Sequence, residues 1–366
     1  MPTVARAAVM TSPGQDLEIR EYPLTRPGPG TILVRVVCCT ICGSDIHSWT
    51  GRRASPLPII LGHEIVGTVV EMGDGVTHDL GDRPLGPGDR VTWTLMAGCG
   101  QCRFCRDLGL PMKCRRLRKY GHDACDIPPH LTGGFAEYCY LGPGTAVIKL
   151  PDGVSDWAAA PANCSLATAV AGWEAAGLRP FETVLILGAG ALGCHAAALA
   201  AHAGCRRVIV ADRLAERLAF VERFGATDTL NMSGMDENTA VRTVREMTDD
   251  LGVDAGLEVA GAPELIPLGL RCLRIGGRLI EIGTSFPDAR FTYDAGDIVW
   301  RRLTLTGIHN YEARHLRAGI DLLNAATPAA WFPFGEIVTH QVGLDDVNNG
   351  LRLARSPEAI RVAVVP

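Results

Sequence analysis

The chain has 366 residues, 47% of them hydrophobic and 20% charged, with a formal net charge of −5. That length exceeds one ordinary core and sets two domains as the expectation, while the acidic balance argues against nucleic acid or an anionic membrane surface as a partner. No apolar run reaches membrane-spanning length, the amino terminus lacks a signal-peptide pattern, and 13 scattered cysteines read as thiols and metal ligands in a reducing cytoplasm, not as a secreted disulfide framework.

In chain order, Ala7–Met10, Leu17–Tyr22 and Thr31–Cys38 read as short strands divided by Pro13-Gly14 and the Pro27-Gly28-Pro29-Gly30 turn. Ile65–Met72 and Arg90–Trp93 continue the pattern across Gly86-Pro87-Gly88-Asp89, giving a small irregular β-barrel. Cys39 and Cys42 have C-x-x-C spacing, but no helix signal follows in the manner of a redox pair; Cys38 and Cys39 read better as small buried hydrophobes. Cys42, His63 and Cys164 are a soft-plus-borderline donor set that suits catalytic zinc with one position left open. For His63 alone, a core histidine bonded to a backbone carbonyl is the plainer alternative.

Cys99, Cys102 and Cys105 are spaced by two residues each, and Cys114 follows after eight more. Four thiolates in one compact loop fit a closed tetrahedral zinc that stabilises a segment with little core of its own. Lys113, Arg115, Arg116, Arg118 and Lys119 crowd the end of this loop. A solvated basic loop is the expectation there, with attraction for an anionic substrate as the alternative. His122 is assigned to no site.

Residues 154–178 are alanine-rich and helical by composition. Thr183–Leu187 is a continuous apolar strand running into Gly188-Ala189-Gly190-Ala191-Leu192-Gly193 and a helix to His202; a second strand, Arg207–Ala211, ends at Asp212. A G-x-G-x-x-G between strand and helix, with an acid about twenty positions on, is a dinucleotide fingerprint. The glycines admit a pyrophosphate to a helix amino terminus. Asp212 can accept from the adenosine ribose hydroxyls and would repel a 2′-phosphate, which favours NAD over NADP; Arg213 beside it pulls the other way. Strands at 255–260, 277–282 and 303–308 complete a doubly wound parallel sheet. The last of these is an apolar sheet edge, which predicts a homodimer or a homotetramer built from dimers. Arg361–Val365 returns to β character and rejoins the first domain.

These residues together resemble the zinc-dependent medium-chain alcohol dehydrogenases, of the bacterial secondary-alcohol and polyol type, over essentially the whole chain. The resemblance rests on Cys42-Gly43-Ser44-Asp45-x-His47, Gly62-His63-Glu64, the four-cysteine loop, Cys164-x-x-x-Thr168, the Gly188 fingerprint with Asp212, and Ile360-Arg361. Short stretches at Pro161–Cys164 and Lys119–His122 are similar to a bacterial subgroup proposed for phosphonate catabolism. The resemblance implies an α/β architecture: a GroES-like β-rich catalytic domain over 1–165 and 307–366, and a doubly wound Rossmann NAD-binding domain over 166–306.

It also implies roles. Cys42, His63 and Cys164 would hold catalytic zinc with Glu64 close behind, and Cys99, Cys102, Cys105 and Cys114 a structural zinc. Asp45 would orient His63. Ser44 and His47 would relay the proton, while Thr168, Leu192, Arg217 and Arg361 would join the glycines and Asp212 around NAD. Trp49 and Leu95 would wall the pocket of a small-molecule alcohol. Gly43 departs from members with a cofactor-binding arginine or histidine there, and the Cys105–Cys114 spacing is one residue longer than the common pattern. The implied reaction is reversible oxidation of an alcohol to a ketone or aldehyde. A zinc-free quinone or enoyl reductase on the same fold would lack the zinc ligands, and a non-catalytic NAD-binding zinc protein would need neither Ser44 nor His47.

Overall fold

The computed structural model describes residues 2–366, with the backbone alone at Pro328. The chain divides into two compact units: one holds the chain up to Cys164 with Glu312–Ala329 and Phe334–Pro366, the other Ser165–Tyr311 with Ala330–Pro333. The second unit thus runs past the expected end at 306 and takes back a short piece after 329.

The first unit is built from short strands. β1 (Val4–Met10) pairs antiparallel with β2 (Glu18–Pro23) and with β4 (Ile59–Ile60). β3 (Ile32–Thr40) pairs antiparallel with β5 (Glu64–Met72), which pairs with β6 (Arg90–Trp93). A two-stranded ribbon of β7 (Met96–Ala97) and β8 (Arg118–Lys119) carries the four-cysteine loop between its arms, with the one-turn helix α2 (Arg103–Arg106) inside it. β9 (Tyr138–Leu141) adds to β3, and β10 (Val147–Lys149) to β6. From the far end of the chain, β17 (Val338–Gly343) and β18 (Arg361–Val365) join the same sheet, β18 against β3. The core between the strands is wholly buried apolar side chains, Val9, Leu33, Ile65, Trp93, Phe135 and Val364 among them. Cys38 and Cys39 are 1% and 0% exposed and belong to this interior, as small apolar side chains do.

The second unit is a six-stranded parallel sheet in the order β13-β12-β11-β14-β15-β16: β11 (Thr183–Leu187), β12 (Arg207–Asp212), β13 (Asp228–Asn231), β14 (Val253–Glu258), β15 (Leu273–Glu281) and β16 (Thr304–Gly307). That order reverses between β11 and β14, the switch point at which doubly wound sheets bind ligands beyond the strand carboxyl ends. All five residues of β11 are buried, because helices cover both faces of the sheet and alternation disappears. The expected helix over 154–178 is broken into α3 (Asp156–Ala159), a 3₁₀ turn at Pro161–Asn163 and α4 (Ser165–Ala176). Pro161 has no N–H to continue the first helix, and the break places Cys164 at the boundary between the units. No helix among the described residues is long and apolar enough to cross a membrane.

Candidate metal centre and dinucleotide site

Asp45 organises the metal centre. It lies in the first turn of α1 (Gly43–Trp49), which Cys42 caps, and it is fully buried. Its Oδ2 accepts from the Cys42 N–H at 2.9 Å, while Oδ1 accepts from the Gly62 N–H at 3.1 Å and lies 3.2 Å from His63 Nδ1. One carboxylate therefore fixes both ligand-bearing loops and, by accepting a hydrogen bond from Nδ1–H, leaves the His63 Nε2 lone pair for a metal. Gly62 makes the tight turn possible: its φ is +87°, and a Cβ there would lie 2.6 Å from Phe135.

Cys164 arrives from the 3₁₀ turn. The buried Asn163 before it donates from Nδ2 to the carbonyls of His63 and Trp93, at 3.1 and 3.0 Å, and so pins the turn against the His63 loop. Cys42, His63, Glu64 and Cys164 then each offer a donor atom within 4.8 Å of the others. Glu64 is already engaged, accepting from Thr40 Oγ1 at 2.5 Å and from the Arg361 guanidinium. Burial pushes its carboxyl up to about 7 against the pull of Arg361. Cys42 is held well below the ordinary thiol range by the Cys164 thiol, then by Arg361 and His63. Two thiols and one imidazole with a poised thiolate fit zinc with one position open.

Ser44 Oγ lies 3.4 Å from His63 Nε2, beside the donor set, and His47 is one turn further along α1. Burial, then Arg52 and Arg53, lower the pKa of His47, so the ring is neutral near pH 7. Trp49, expected at the pocket wall, packs with its indole 7% exposed in the barrel core and donates from Nε1 to the Gln15 carbonyl at 2.8 Å. Leu95 is buried and its carbonyl accepts from the Tyr120 N–H at 2.9 Å.

In the loop between β7 and β8, Cys102 Sγ stands 3.6 Å from Cys105 Sγ and 3.8 Å from Cys114 Sγ. A tetrahedron with Zn–S bonds near 2.3 Å has edges of about 3.8 Å. The N–H groups of Cys99 and Arg116 point at Cys114 Sγ, at 3.2 and 3.3 Å, and backbone N–H groups of Gln101 and Cys102 draw Cys99 down to about 5. Such donors stabilise thiolates, and the four sulfurs fit a closed zinc site.

Three residues that sequence reasoning left aside meet the metal centre. Gly121, at φ +69°, passes so close to Gly62 that a Cβ would lie 2.4 Å from the Gly62 carbonyl oxygen. This brings the His122 ring to 4.9 Å from the His63 ring. Lys119, expected in a solvated basic loop, is largely enclosed; burial, then Arg53, push its ammonium down to about 8. Arg53 lies over α1, its Nη2 donating to the Ser48 hydroxyl at 2.8 Å and the Ser44 carbonyl at 3.2 Å. The basic cluster of Lys113, Arg115, Arg116, Arg118 and Lys119 was the signal the sequence offered here; Arg53, far off in the chain, gave none.

Arg361, given to the cofactor by the resemblance, spends its guanidinium on Glu64 and the Ile360 carbonyl within the first unit.

In the second unit the fingerprint glycines have separate reasons. A Cβ on Gly193, in α5 (Ala191–His202), would lie 2.0 Å from the Gly188 carbonyl oxygen, and one on Gly188, at φ +117°, would meet the Ala260 N at 2.9 Å. A Cβ on Gly190, the α5 N-cap, would meet nothing within 4 Å, so that side is open to an incoming phosphate. Asp212 closes β12 with its Oδ2 accepting from the Ala189 N–H at 2.7 Å and Oδ1 from the Leu214 N–H at 3.0 Å. Thr168 on α4, Leu192 on α5 and Arg217 on α6 (Ala215–Glu222) are half-buried. A nicotinamide dinucleotide fits this cradle.

Comparison with known proteins identifies the family of both units. Residues 28–152 match the alcohol dehydrogenase GroES-like domain, and residues 191–325 the zinc-binding dehydrogenase family. The chain is 30% identical to 5-exo-hydroxycamphor dehydrogenase of Pseudomonas putida over 98% of each protein. It superposes on an alcohol dehydrogenase from Thermotoga maritima with a TM-score of 0.92, 31% identity and 99% coverage of both chains. A zinc-binding dehydrogenase from Sinorhizobium meliloti bound to NADP gives a TM-score of 0.86 at 28% identity, with 100% coverage of both.

Proposed function

The chain belongs to the zinc-dependent medium-chain alcohol dehydrogenases and oxidises an alcohol, and from that premise we propose that the alcohol is secondary, that NAD accepts the hydride, and that Ser44 and His47 move the proton. The observation that carries this reading is the pairing of Ser44 Oγ, 3.4 Å from the ligand His63 Nε2, with a donor set of Cys42, His63 and Cys164. Zinc held by those three residues supplies Lewis acidity, which lowers the pKa of an alcohol oxygen.

The remaining work falls to the protein. Asp45 keeps His63 in the tautomer that presents Nε2. Ser44 takes the hydroxyl proton and His47, neutral near pH 7, receives it at the next step toward solvent. Arg361 pairs with Glu64 and holds that carboxyl behind the donor set. On the nucleotide unit, Gly188, Gly190 and Gly193 admit the pyrophosphate, with Thr168, Leu192 and Arg217 beside it. The Asp212 carboxylate stands where a 2′-phosphate would be repelled, which supports NAD. A secondary alcohol is supported by the likeness to a hydroxycamphor dehydrogenase. The exposed edge of β16, with Val299 and Trp300 of α9 (Ala295–Arg301) 75% and 86% exposed, supports a homodimer or a tetramer of such dimers.

The test is NADH formation over primary, secondary, terpenoid and polyol alcohols, with Ser44→Ala and His47→Gln alongside wild type. Ser44→Ala should keep zinc and lower kcat by about 10²–10⁴-fold, far more than it raises KM. His47→Gln should matter near neutrality and less at high pH, where hydroxide replaces the outer base. A Ser44→Ala enzyme with nearly full kcat, under a primary deuterium isotope effect, removes Ser44 from the mechanism.

A further inference from the structure

Two cations beside the metal centre have no carboxylate partner. Among the described residues, neither Lys119 nor Arg53 forms an ion pair, whereas Lys149, also at a strand end of the first unit, sits 2.7 Å from Asp89. Asp123 lies near Lys119 but accepts from its backbone N–H, at 2.8 Å, and does not pair with its ammonium. The field of Arg53 and Lys113 opposes the Lys119 charge, and the thiolates of Cys164 and Cys42 favour it, which places this ammonium within electrostatic reach of the metal ligands.

The third member is His122. Its Nδ1 lies 2.9 Å from the Tyr120 carbonyl, which can only accept, so Nδ1 carries the proton and Nε2 presents a lone pair. That Nε2 is buried and has no hydrogen-bond partner among the described residues, next to the His63 ring. An unmet buried acceptor is costly, and a ligand donor would recover that loss.

Charge counting separates this cluster from a simple balance for the thiolates. With zinc bound, Cys42, Cys164, Asp45, Glu64 and Arg361 leave the centre with one formal negative charge. Lys119 and Arg53 turn that into one formal positive charge, which an anion would neutralise.

Resting on the dehydrogenase reading above, we propose that Lys119 and Arg53 receive an anionic oxygen group of the substrate and that His122 Nε2 accepts from a hydroxyl beside it, so that the substrate class is a hydroxy acid bearing a second hydroxyl. The acceptor at His122 selects against a group that brings charge without a donor, and the two cations select against an uncharged polyol.

The test uses the zinc-loaded wild type on 3-hydroxybutyrate, its methyl ester and 2,3-dihydroxybutyrate. The acid should exceed the ester in kcat/KM by about tenfold or more, the scale of one charge-assisted hydrogen bond, and the dihydroxy acid should exceed the acid. Lys119→Met should shrink the acid-to-ester ratio by about tenfold, chiefly through KM, and Lys119→Arg should restore most of it. His122→Phe should remove the advantage of the second hydroxyl. An ester handled as well as the acid, or a ratio unmoved in Lys119→Met, overturns the anion-receiving side and leaves the dehydrogenase reading in place. Should no alcohol turn over, calorimetric binding of butyrate by wild type and its loss in Lys119→Met would keep the anion-receiving side while the dehydrogenase reading fails; no binding would overturn both.

Discussion

Arg361 grips both carboxylate oxygens of Glu64, Nε to Oε2 at 2.9 Å and Nη2 to Oε1 at 3.2 Å, although 297 positions separate the two residues. The Glu64 side chain is 0% and the Arg361 side chain 12% exposed. Breaking a buried pair from one side leaves the other charge uncompensated, at about 3–5 kcal/mol. Arg361→Leu should lose stability on that scale in urea unfolding. Arg361→Leu with Glu64→Leu should regain much of it, because both charges are then gone. If the double variant is no more stable than Arg361→Leu alone, the pair is not what the arginine contributes.

The two metal sets should separate by mutation. Cys42→Ser should lose one zinc and activity while the chain remains folded, since Asp45 and Asn163 hold the centre's loops without the metal. Cys102→Ser should also lose one zinc but mainly lower the melting temperature, because α2 buries none of its residues and the loop has little else to order it. Metal analysis and calorimetry decide; active enzyme with zinc only in the four-cysteine loop contradicts the first half.

Asp212 carries the cofactor preference. Asp212→Gly should bring the NAD and NADP values of kcat/KM together or invert them, since the repelling carboxylate is gone and the exposed Arg213 is adjacent. The same change removes an acceptor from the Ala189 and Leu214 N–H groups, so some loss of thermal stability should accompany it. Wild type that already prefers NADP contradicts this assignment of Asp212.

Glu258 and Glu281 face each other in register on β14 and β15. Burial first, then Glu281, push the Glu258 carboxyl from 4.5 up to about 8. The folded chain therefore keeps a proton that the unfolded chain releases. Its contribution to stability is complete below the unfolded value and is lost as pH rises through the folded one, at most about 1.4 kcal/mol per pH unit. The melting temperature should fall between about pH 5 and 8 and level off above that, and Glu281→Gln should flatten the fall. A parallel decline in both proteins would assign the effect elsewhere.

Much of this molecule is written locally. The four cysteines within one loop, and Gly188–Gly193 between a strand and a helix, each complete their meaning inside a few turns of chain. Cys42, His63 and Cys164 were legible as a set because their flanking residues, Asp45 and Glu64, are unusual neighbours for a core strand. Lys119 was legible only as part of a basic loop, with attraction for an anionic substrate as the alternative, and His122 not at all, because their place depends on the β7–β8 register and on Gly121 crossing Gly62, both long-range facts. The packing of Trp49 was hidden for the same reason: its partner is the Gln15 carbonyl, which no pattern around the tryptophan announces. Arg361 was legible as a functional residue, but its engagement with Glu64 depends on β18 returning to β3.

That return sets an order of assembly during synthesis. The nucleotide unit is contiguous apart from Ala330–Pro333, so it can close while the ribosome is still translating the tail, as domains do when they emerge in turn. The metal-bearing unit has no such freedom. Its sheet lacks β18, and Glu64 lacks its counter-charge, until Arg361–Val365 has been made. A nascent chain therefore carries an incomplete metal centre long after Cys42, His63 and Cys164 have emerged, and a truncation just before Arg361 removes the counter-charge from a centre whose ligands were made long before.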